Sequence, residues 1–234
     1  MSVKSLGQVF TPEHIVQDIL DLSNYKENIL KKHIMENSCG NGIFLKEIIK
    51  RYVKEYVRVN GSMQGVEEEL EQYIHAIEID KPTYMECIKN LENLRQELNL
   101  KKVKWDVINQ NALLVKKFDG MMDFVVGNPP YIRVHNLKEQ LETTKMKKFC
   151  NGGMTDLYIA FFEIGLEMLK TDGILCYITP NSFYSSIAGR NLREYIKNQK
   201  TLETIMDLGH YKPFEVDAYT AISKFTNGTS HERC

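Results

Sequence analysis

The chain has 234 residues, 43% of them hydrophobic and 26% charged, with a formal net charge of −1; this is the composition of one globular domain with a sizeable core. Near-neutral charge excludes a surface that is basic throughout, so any nucleic-acid footprint has to be local or supplied by another chain. No stretch approaches the roughly 18 apolar residues of a membrane span, the opening Met1–Leu6 has no signal-peptide core, and five widely spaced cysteines without a CxxC pair argue against a disulfide framework and a metal site, so a soluble cytoplasmic protein is expected.

Residues 1–32 read as an N-terminal helical segment, with a helix over Pro12–Leu22 that Thr11 is placed to cap. A first strand follows at His33–Glu36. The acidic run Glu67–Glu71 reads as a solvated insertion before a second strand at Tyr73–Ile79. Asp80 fits an N-cap, with Pro82 near the first helical turn. Strands are predicted at Val103–Ile108 and Met122–Val126. A helix over Asp156–Leu169 carries Leu157, Phe161, Ile164 and Met168 on one face and has Gly173 just beyond its end. Further strands are predicted at Ile174–Thr179, Leu202–Leu208 and Ala218–Phe225, and residues 226–234 read as a polar, disordered tail. Strand and helix alternate, which predicts a single α/β domain over 1–234, built on a doubly wound, mostly parallel seven-stranded sheet. Candidate basic patches are Arg133 with Lys138, Lys145, Lys147 and Lys148, and Arg190 with Arg193, Lys197 and Lys200.

In such sheets ligands bind beyond the carboxyl ends of the strands. The first strand ends in Glu36-Asn37-Ser38-Cys39-Gly40-Asn41-Gly42, where two glycines let the backbone turn tightly and approach a ligand. Without the third glycine of GxGxxG, the loop suits a nucleoside better than a dinucleotide, and a plain glycine-containing turn between strand and helix is the alternative. Glu78 ends the second strand among apolar neighbours, and a buried carboxylate needs a partner; a ribose diol is one.

The most informative four residues are Asn128-Pro129-Pro130-Tyr131, directly behind the apolar run Phe124–Gly127. Consecutive prolines stiffen a turn and leave carbonyls as pure acceptors. The Asn128 side-chain oxygen and the Pro129 carbonyl can take the two hydrogens of a planar amino group, favouring a pyramidal nitrogen with its lone pair freed for methyl transfer. Tyr131 offers a stacking face worth about 1–3 kcal/mol per base. A plain Pro-Pro turn at a strand end is the alternative.

With these motifs in this order, the chain resembles the catalytic domain of an adenine-N6 DNA methyltransferase of the gamma class, in the branch of large restriction-modification methylases. The matching stretches are Gly7–Pro12, Glu36–Leu45, Ile77–Asp80, Asp123–Arg133, Asp156–Tyr158 with Phe162-Glu163, and Gly173–Phe183. The resemblance implies a Rossmann-like methyltransferase sheet, S-adenosyl-L-methionine as cofactor, DNA as partner, and a bacterial or archaeal cytoplasmic setting. It implies that Thr11 and the loop Glu36, Asn37, Ser38, Cys39, Gly40 and Gly42 surround the methionine end of the cofactor. It assigns Glu78 to the ribose, Pro130 to a wall of the cofactor site, Asn128 and Pro129 to the target amine, and Tyr131 and Phe214 to the two aromatics between which a flipped adenine enters. Two departures stand out. Asn111 occupies the position of an aspartate that bonds the cofactor's adenine amino group, and family members continue into a target-recognition domain, whereas this sequence stops shortly after Phe225. A missing recognition domain, or a separate specificity or nuclease subunit, is therefore expected to grip DNA, and the isolated chain is expected to bind the cofactor but to methylate DNA weakly or not at all. The same Asn-Pro-Pro-Tyr device serves protein-glutamine and RNA-adenine methyltransferases, and a cofactor-binding remnant without activity is a third reading.

Overall fold

The computed structural model describes residues 11–133, 141–151, 155–199, 201–211, 213–214 and 219–228. The expectations resting on Gly7–Phe10, Lys138, Lys200, Glu215-Val216 and the end of the tail from residue 229 lie outside them.

All seven predicted strands are present: β1 (Ile34–Glu36), β2 (Ile74–Ile77), β3 (Asp106–Ile108), β4 (Met122–Gly127), β5 (Leu169–Pro180), β6 (Leu202–Asp207) and β7 (Thr220–Asn227). They form one sheet in the order β3-β2-β1-β4-β5-β7-β6. The pairs among β1 to β5 are parallel, while β7 runs antiparallel to both β5 and β6. Among the described residues seven helices accompany the sheet: α1 (Glu13–Leu22), α2 (Ile43–Asn60), α3 (Val66–Tyr73), α4 (Lys81–Glu97), α5 (Leu141–Lys145), α6 (Leu157–Met168) and α7 (Arg190–Gln199). No helix among the described residues is long and apolar enough to cross a membrane.

Strand alternation sends successive side chains to opposite faces. In β1, Ile34 joins the core under α1 to α4 and Met35 joins the core that contains α6; in β4, Phe124 and Val126 face the first core and Val125 the second. Both faces are covered, which is why β1 and β4 carry the short apolar runs Ile34-Met35 and Phe124-Val125-Val126. Each fully buried large side chain contributes about 1.5–3 kcal/mol from transfer out of water.

Three local expectations are corrected. The acidic run Glu67–Glu71 lies in helix α3 and is not a solvated insertion. Glu67 is 8% exposed and accepts from the Lys101 N–H at 2.8 Å, Glu71 accepts from the Lys104 N–H at 2.7 Å, and Glu69 accepts from the Tyr52 hydroxyl at 2.6 Å. Helix α6 is buried nearly all round, so its apolar face is wider than a single stripe, and it passes directly into β5 at Leu169 without a glycine cap. Thr226 and Asn227, predicted as tail, belong to β7; the Thr226 N–H donates to the Thr201 carbonyl at 2.8 Å and the Asn227 amide to the Leu169 carbonyl at 3.1 Å.

At the amino ends of the strands, a partly buried polar chain crosses the sheet. His33 Nδ1 lies 2.9 Å from His75 Nε2, and His75 Nδ1 lies 2.6 Å from Asp106 Oδ2. The His33 N–H donates to Asp123 Oδ2 at 2.9 Å, and Lys170 pairs with Asp123 on its other side. Burial, reinforced by His75, holds the His33 imidazole below its ordinary value of 6.5. A lowered histidine means that the unfolded chain takes up the proton first, so stability is complete above 6.5 and is lost as the pH falls below it. Asp106 is held below the usual carboxylate value of 3.8 by its His75 bond, which adds a loss at still lower pH. The urea midpoint is expected to fall as the pH drops through the histidine range, and His33→Asn is expected to flatten that fall; equal slopes for both proteins would contradict it.

Candidate active site

The carboxyl ends of β1, β2 and β4 are brought together by the register of β1, whose Ile34 pairs with Ile74 on one side and Phe124 on the other. Glu36 therefore pairs with Ala76 and Val126, each one residue before the end of its strand, β2 and β4. The Cys39 N–H donates to the Ile77 carbonyl at 3.0 Å, folding the loop after β1 over the end of β2. Gly40 continues it and donates its N–H to Glu78 Oε2 at 2.9 Å. Gly42 has φ +85°, and a Cβ there would sit 2.8 Å from Cys87 Sγ, so the start of α2 can approach α4 only because this residue is glycine. Cys39 Sγ lies 3.9 Å from Cys87 Sγ, and both are free, buried thiols. The bond to Cys87, then burial, pushes the Cys39 thiol well up.

Glu36 is 2% exposed and Asn37 is 1% exposed. Glu36 Oε2 and Asn37 Oδ1 are buried acceptors without a hydrogen-bond partner in the structure. Burial, then the nearby Cys87 and Glu78, pushes the Glu36 carboxyl well above the usual carboxylate range. Two neighbouring orphaned acceptors in a native core call for a ligand that brings donors and positive charge. Glu78, 4% exposed, is oriented by the Gly40 N–H and by the Asp80 N–H, which donates to Oε1 at 2.8 Å. Burial raises its carboxyl too. A carboxylate has about four lone-pair sites, so these bonds orient it as a ligand for further donors. Asp80 caps α4 as expected, accepting from the Thr83 N–H at 3.0 Å.

On the other flank, Asn128-Pro129-Pro130-Tyr131 leaves β4 directly. Thr11 does not cap α1, whose N-cap position is Pro12. Its hydroxyl accepts instead from Asn128 Nδ2 at 3.1 Å, which fixes the amide so that Oδ1 is the remaining acceptor. The Ser38 hydroxyl makes a long 3.5 Å contact to the Asn128 carbonyl, tying the loop of β1 to the turn of β4. Pro129 is buried, and Pro130 and Tyr131 are partly buried. Tyr131 donates its hydroxyl to the Ile178 carbonyl at 3.3 Å, and burial holds that hydroxyl well above the ordinary tyrosine value.

Phe214 comes from the β6–β7 connection, and its ring meets Tyr131 edge to face, with centroids 6.0 Å apart and planes at 75°. The pair is thus assembled but closed. A base between two parallel rings needs about 7 Å between them, so one ring has to turn before a base enters. The loop carrying Phe214 is fastened to α1, where His14 Nε2 and Tyr211 Oη are 2.7 Å apart. Asn111 sits at the end of β3, where its Oδ1 accepts from the Leu113 N–H at 3.0 Å; the amide oxygen expected for a ligand also caps a short 3₁₀ turn at Ala112–Leu114.

Several residues of this cluster escaped sequence reasoning. Asn109 donates to the Glu78 and Ile79 carbonyls at 2.9 and 3.1 Å, and Ile79 itself is 42% exposed beside Glu78, an apolar surface that its place in a strand pattern disguised. Of the basic candidates, Lys147 is buried against Glu167 at 3.2 Å, and Arg193 donates to the Phe183 and Ser186 carbonyls at 2.7 and 2.8 Å; both serve the fold. Arg133, Lys145, Lys148, Arg190 and Lys197 are exposed.

With this geometry in view, comparison with known proteins is informative. The family model described as Eco57I restriction-modification methylase matches residues 21–214. The chain belongs to this family. It is 29% identical to the Type II methyltransferase M.BstVI of Geobacillus stearothermophilus over 94% of the chain and 42% of that protein. It is 30% identical to M.XhoI of Xanthomonas vasicola over 93% of the chain and 42% of that protein. The chain thus spans about two-fifths of the length of these curated relatives. Among solved structures, a putative class I S-adenosylmethionine-dependent methyltransferase from Listeria monocytogenes superposes with a TM-score of 0.69 at 18% identity, covering 100% of this chain and 64% of that one. The M protein of the Type I restriction enzyme EcoKI superposes with a TM-score of 0.72 at 16% identity, over 94% of this chain and 44% of that one. These likenesses establish the Rossmann-like methyltransferase fold.

A raised carboxyl costs stability once the pH climbs past its unfolded value of 4.5, because ionising Glu36 is harder in the folded protein. Glu36→Gln is therefore expected to raise the thermal midpoint of the ligand-free protein at neutral pH. A lower midpoint would show that Glu36 is stably ionised and paired.

Proposed function

We propose that the chain is the catalytic part of an S-adenosylmethionine-dependent DNA methyltransferase of a restriction-modification system, and that it methylates the N6 amino group of an adenine turned out of the duplex. One observation carries this reading: the rigid Asn128–Tyr131 turn, an amine holder, is bonded through Ser38 to a loop whose buried acceptors suit a cation. Family membership supports the setting, and the relatives' names describe Type II methyltransferases. A neighbouring fold in the Type ISP enzyme LlaGI, with a TM-score of 0.71 at 19% identity, was solved with a DNA substrate mimic. Adenine is the base that the order of motifs points to.

The residues divide the work as follows. Glu36 and Asn37 would hold the cationic methionine end of the cofactor, with Thr11, Ser38, Cys39, Gly40 and Gly42 shaping that end and Pro130 forming a wall. Glu78 would accept from the ribose hydroxyls, and Asn111 would meet the adenine amino group. When bound, S-adenosylmethionine supplies a methyl group on a sulfonium sulfur, an electrophile that needs no further activation. The chain's own contribution is to the nucleophile. Asn128 Oδ1 and the Pro129 carbonyl accept the two amino hydrogens, which frees the nitrogen lone pair that ring conjugation otherwise withdraws. Tyr131 and Phe214 hold the base plane, a flipped-base arrangement, so that positioning supplies most of the acceleration. Duplex grip and sequence choice are assigned to parts outside this catalytic unit, as expected from relatives more than twice as long.

Methyl transfer to mixed-sequence DNA, followed by digestion to nucleosides, tests the reading. Methyl is expected on adenine N6, Asn128→Ala is expected to leave cofactor binding intact while reducing transfer by about 100-fold or more, the size of losing one oxyanion-type contact, and Phe214→Ala is expected to reduce it about tenfold, as for one lost stacking partner. Methyl on cytosine, on RNA alone or on a glutamine amide would overturn the adenine assignment, and transfer undiminished in Asn128→Ala would remove the turn from the chemistry.

A further inference from the structure

Tyr177 is a fully buried tyrosine in the centre of β5, and a phenol in such a place needs a reason. Its register partner in β4 is Gly127, the residue before Asn128, and a Cβ on Gly127 would lie 3.9 Å from Cε1 of the ring. The side chain thus lies over the end of β4 and reaches the far neighbour β1, where Asn37 Nδ2 donates to Tyr177 Oη at 2.6 Å. Space for it is made from the helix side. A Cβ on Gly165 of α6 would stand 2.7 Å from Tyr177 Oη and 2.3 Å from Leu175 Cδ1, so a glycine in the middle of a helix, normally unfavourable, lets the hydroxyl lie where it does. Asn37 has two polar side-chain ends. Tyr177 takes one, and the other, Oδ1, is the buried acceptor without a partner.

We propose that Tyr177 is a positioning residue of the cofactor site: its hydroxyl holds the Asn37 amide so that Oδ1 is presented as an acceptor to the ammonium of the methionine end. The inference rests on the cofactor reading above. It accounts for the unsatisfied acceptor at this position, since the amide is anchored from behind and cannot turn to hide its oxygen. It also explains the glycine at position 165. Through one side chain, the strand that carries the Asn-Pro-Pro-Tyr turn is clamped between β5 and the loop that receives the cofactor.

Tyr177→Phe keeps the ring and deletes the hydroxyl. Calorimetry with S-adenosylmethionine and, separately, with adenosine, which lacks the methionine end, reads the role. The variant is expected to weaken S-adenosylmethionine binding about tenfold, the order of one hydrogen bond's effect, while adenosine binding stays at the wild-type level. Asn37→Ala is expected to give a similar loss, and the double variant to be no worse than Asn37→Ala alone, because both changes remove one coupled unit. Equal losses for both ligands, or additive losses in the double variant, would overturn the proposal and leave Tyr177 a packing residue. Unchanged binding in Tyr177→Phe would overturn it too, whereas a wild-type chain that binds no S-adenosylmethionine would overturn the functional reading first. If Tyr177→Phe fails to fold, Asn37→Asp decides: the Tyr177 hydroxyl then donates to one carboxylate oxygen and the other keeps facing the ligand, so binding at least as tight as wild type is expected, and its loss is the contrary result.

Discussion

The parallel pairing of β1 with both β2 and β4 is the constraint on which the rest of the site depends. Three residues of β1 are enough, because Ile34, Met35 and Glu36 each have a partner on both sides. That register sets the loop from Asn37 to Gly42 between Glu78 and Asn128, and no other pairing of these strands would do so. A slip of one residue would turn Glu36 toward the opposite face and send Met35 and Ile34 to the wrong cores. The site is therefore specified by packing in two apolar layers, the first of which reaches Phe214 and Tyr131.

Against this well-filled background the polar groups at the strand ends are exceptions with a common sense. Glu36 and Glu78 are carboxyls whose burial opposes ionisation, and Asn37 keeps an oxygen without a partner. A protein selected for stability alone would have filled these positions with apolar groups, since burying an unpaired polar atom costs about 1–3 kcal/mol. Together they form a polar cluster, with unmet acceptors at Glu36 and Asn37, whose cost the rest of the fold carries. The histidine chain at the opposite end of the strands differs in this respect, because its bonds run from His33 through His75 to Asp106 within the protein.

Much of this was legible in the sequence, and the reasons are specific. Strands such as Met122–Gly127 announce themselves because both faces are covered and Phe124, Val125 and Val126 are apolar in succession. The Asn-Pro-Pro-Tyr turn is legible because prolines constrain the backbone wherever they occur. The misreadings share one cause, which is that polar residues were assumed to face water. Glu67, Glu69 and Glu71 satisfy backbone and tyrosine donors of neighbouring segments; Thr11 bonds a residue 117 positions away in place of its own helix; Lys147 is buried beside Glu167. Tyr177 was hidden in the opposite way, as one aromatic in an apolar run, since nothing local distinguishes a phenol with a long-range partner from a ring that only packs.

The strand order has a consequence for how the molecule comes into being. β7 follows β6 in the chain yet lies inside it, separating it from β5. Until β7 has been synthesised and inserted, β6 has no strand to pair with among those described, and the connection bearing Tyr211 and Phe214 is tethered at one end only. Domains emerge from the ribosome amino end first, so the loop cluster at the ends of β1 and β2 can take shape while the ring opposite Tyr131 is still missing. The nascent chain thus builds the cluster of Glu36, Asn37 and Glu78 before the edge-to-face pair of Tyr131 and Phe214 can form.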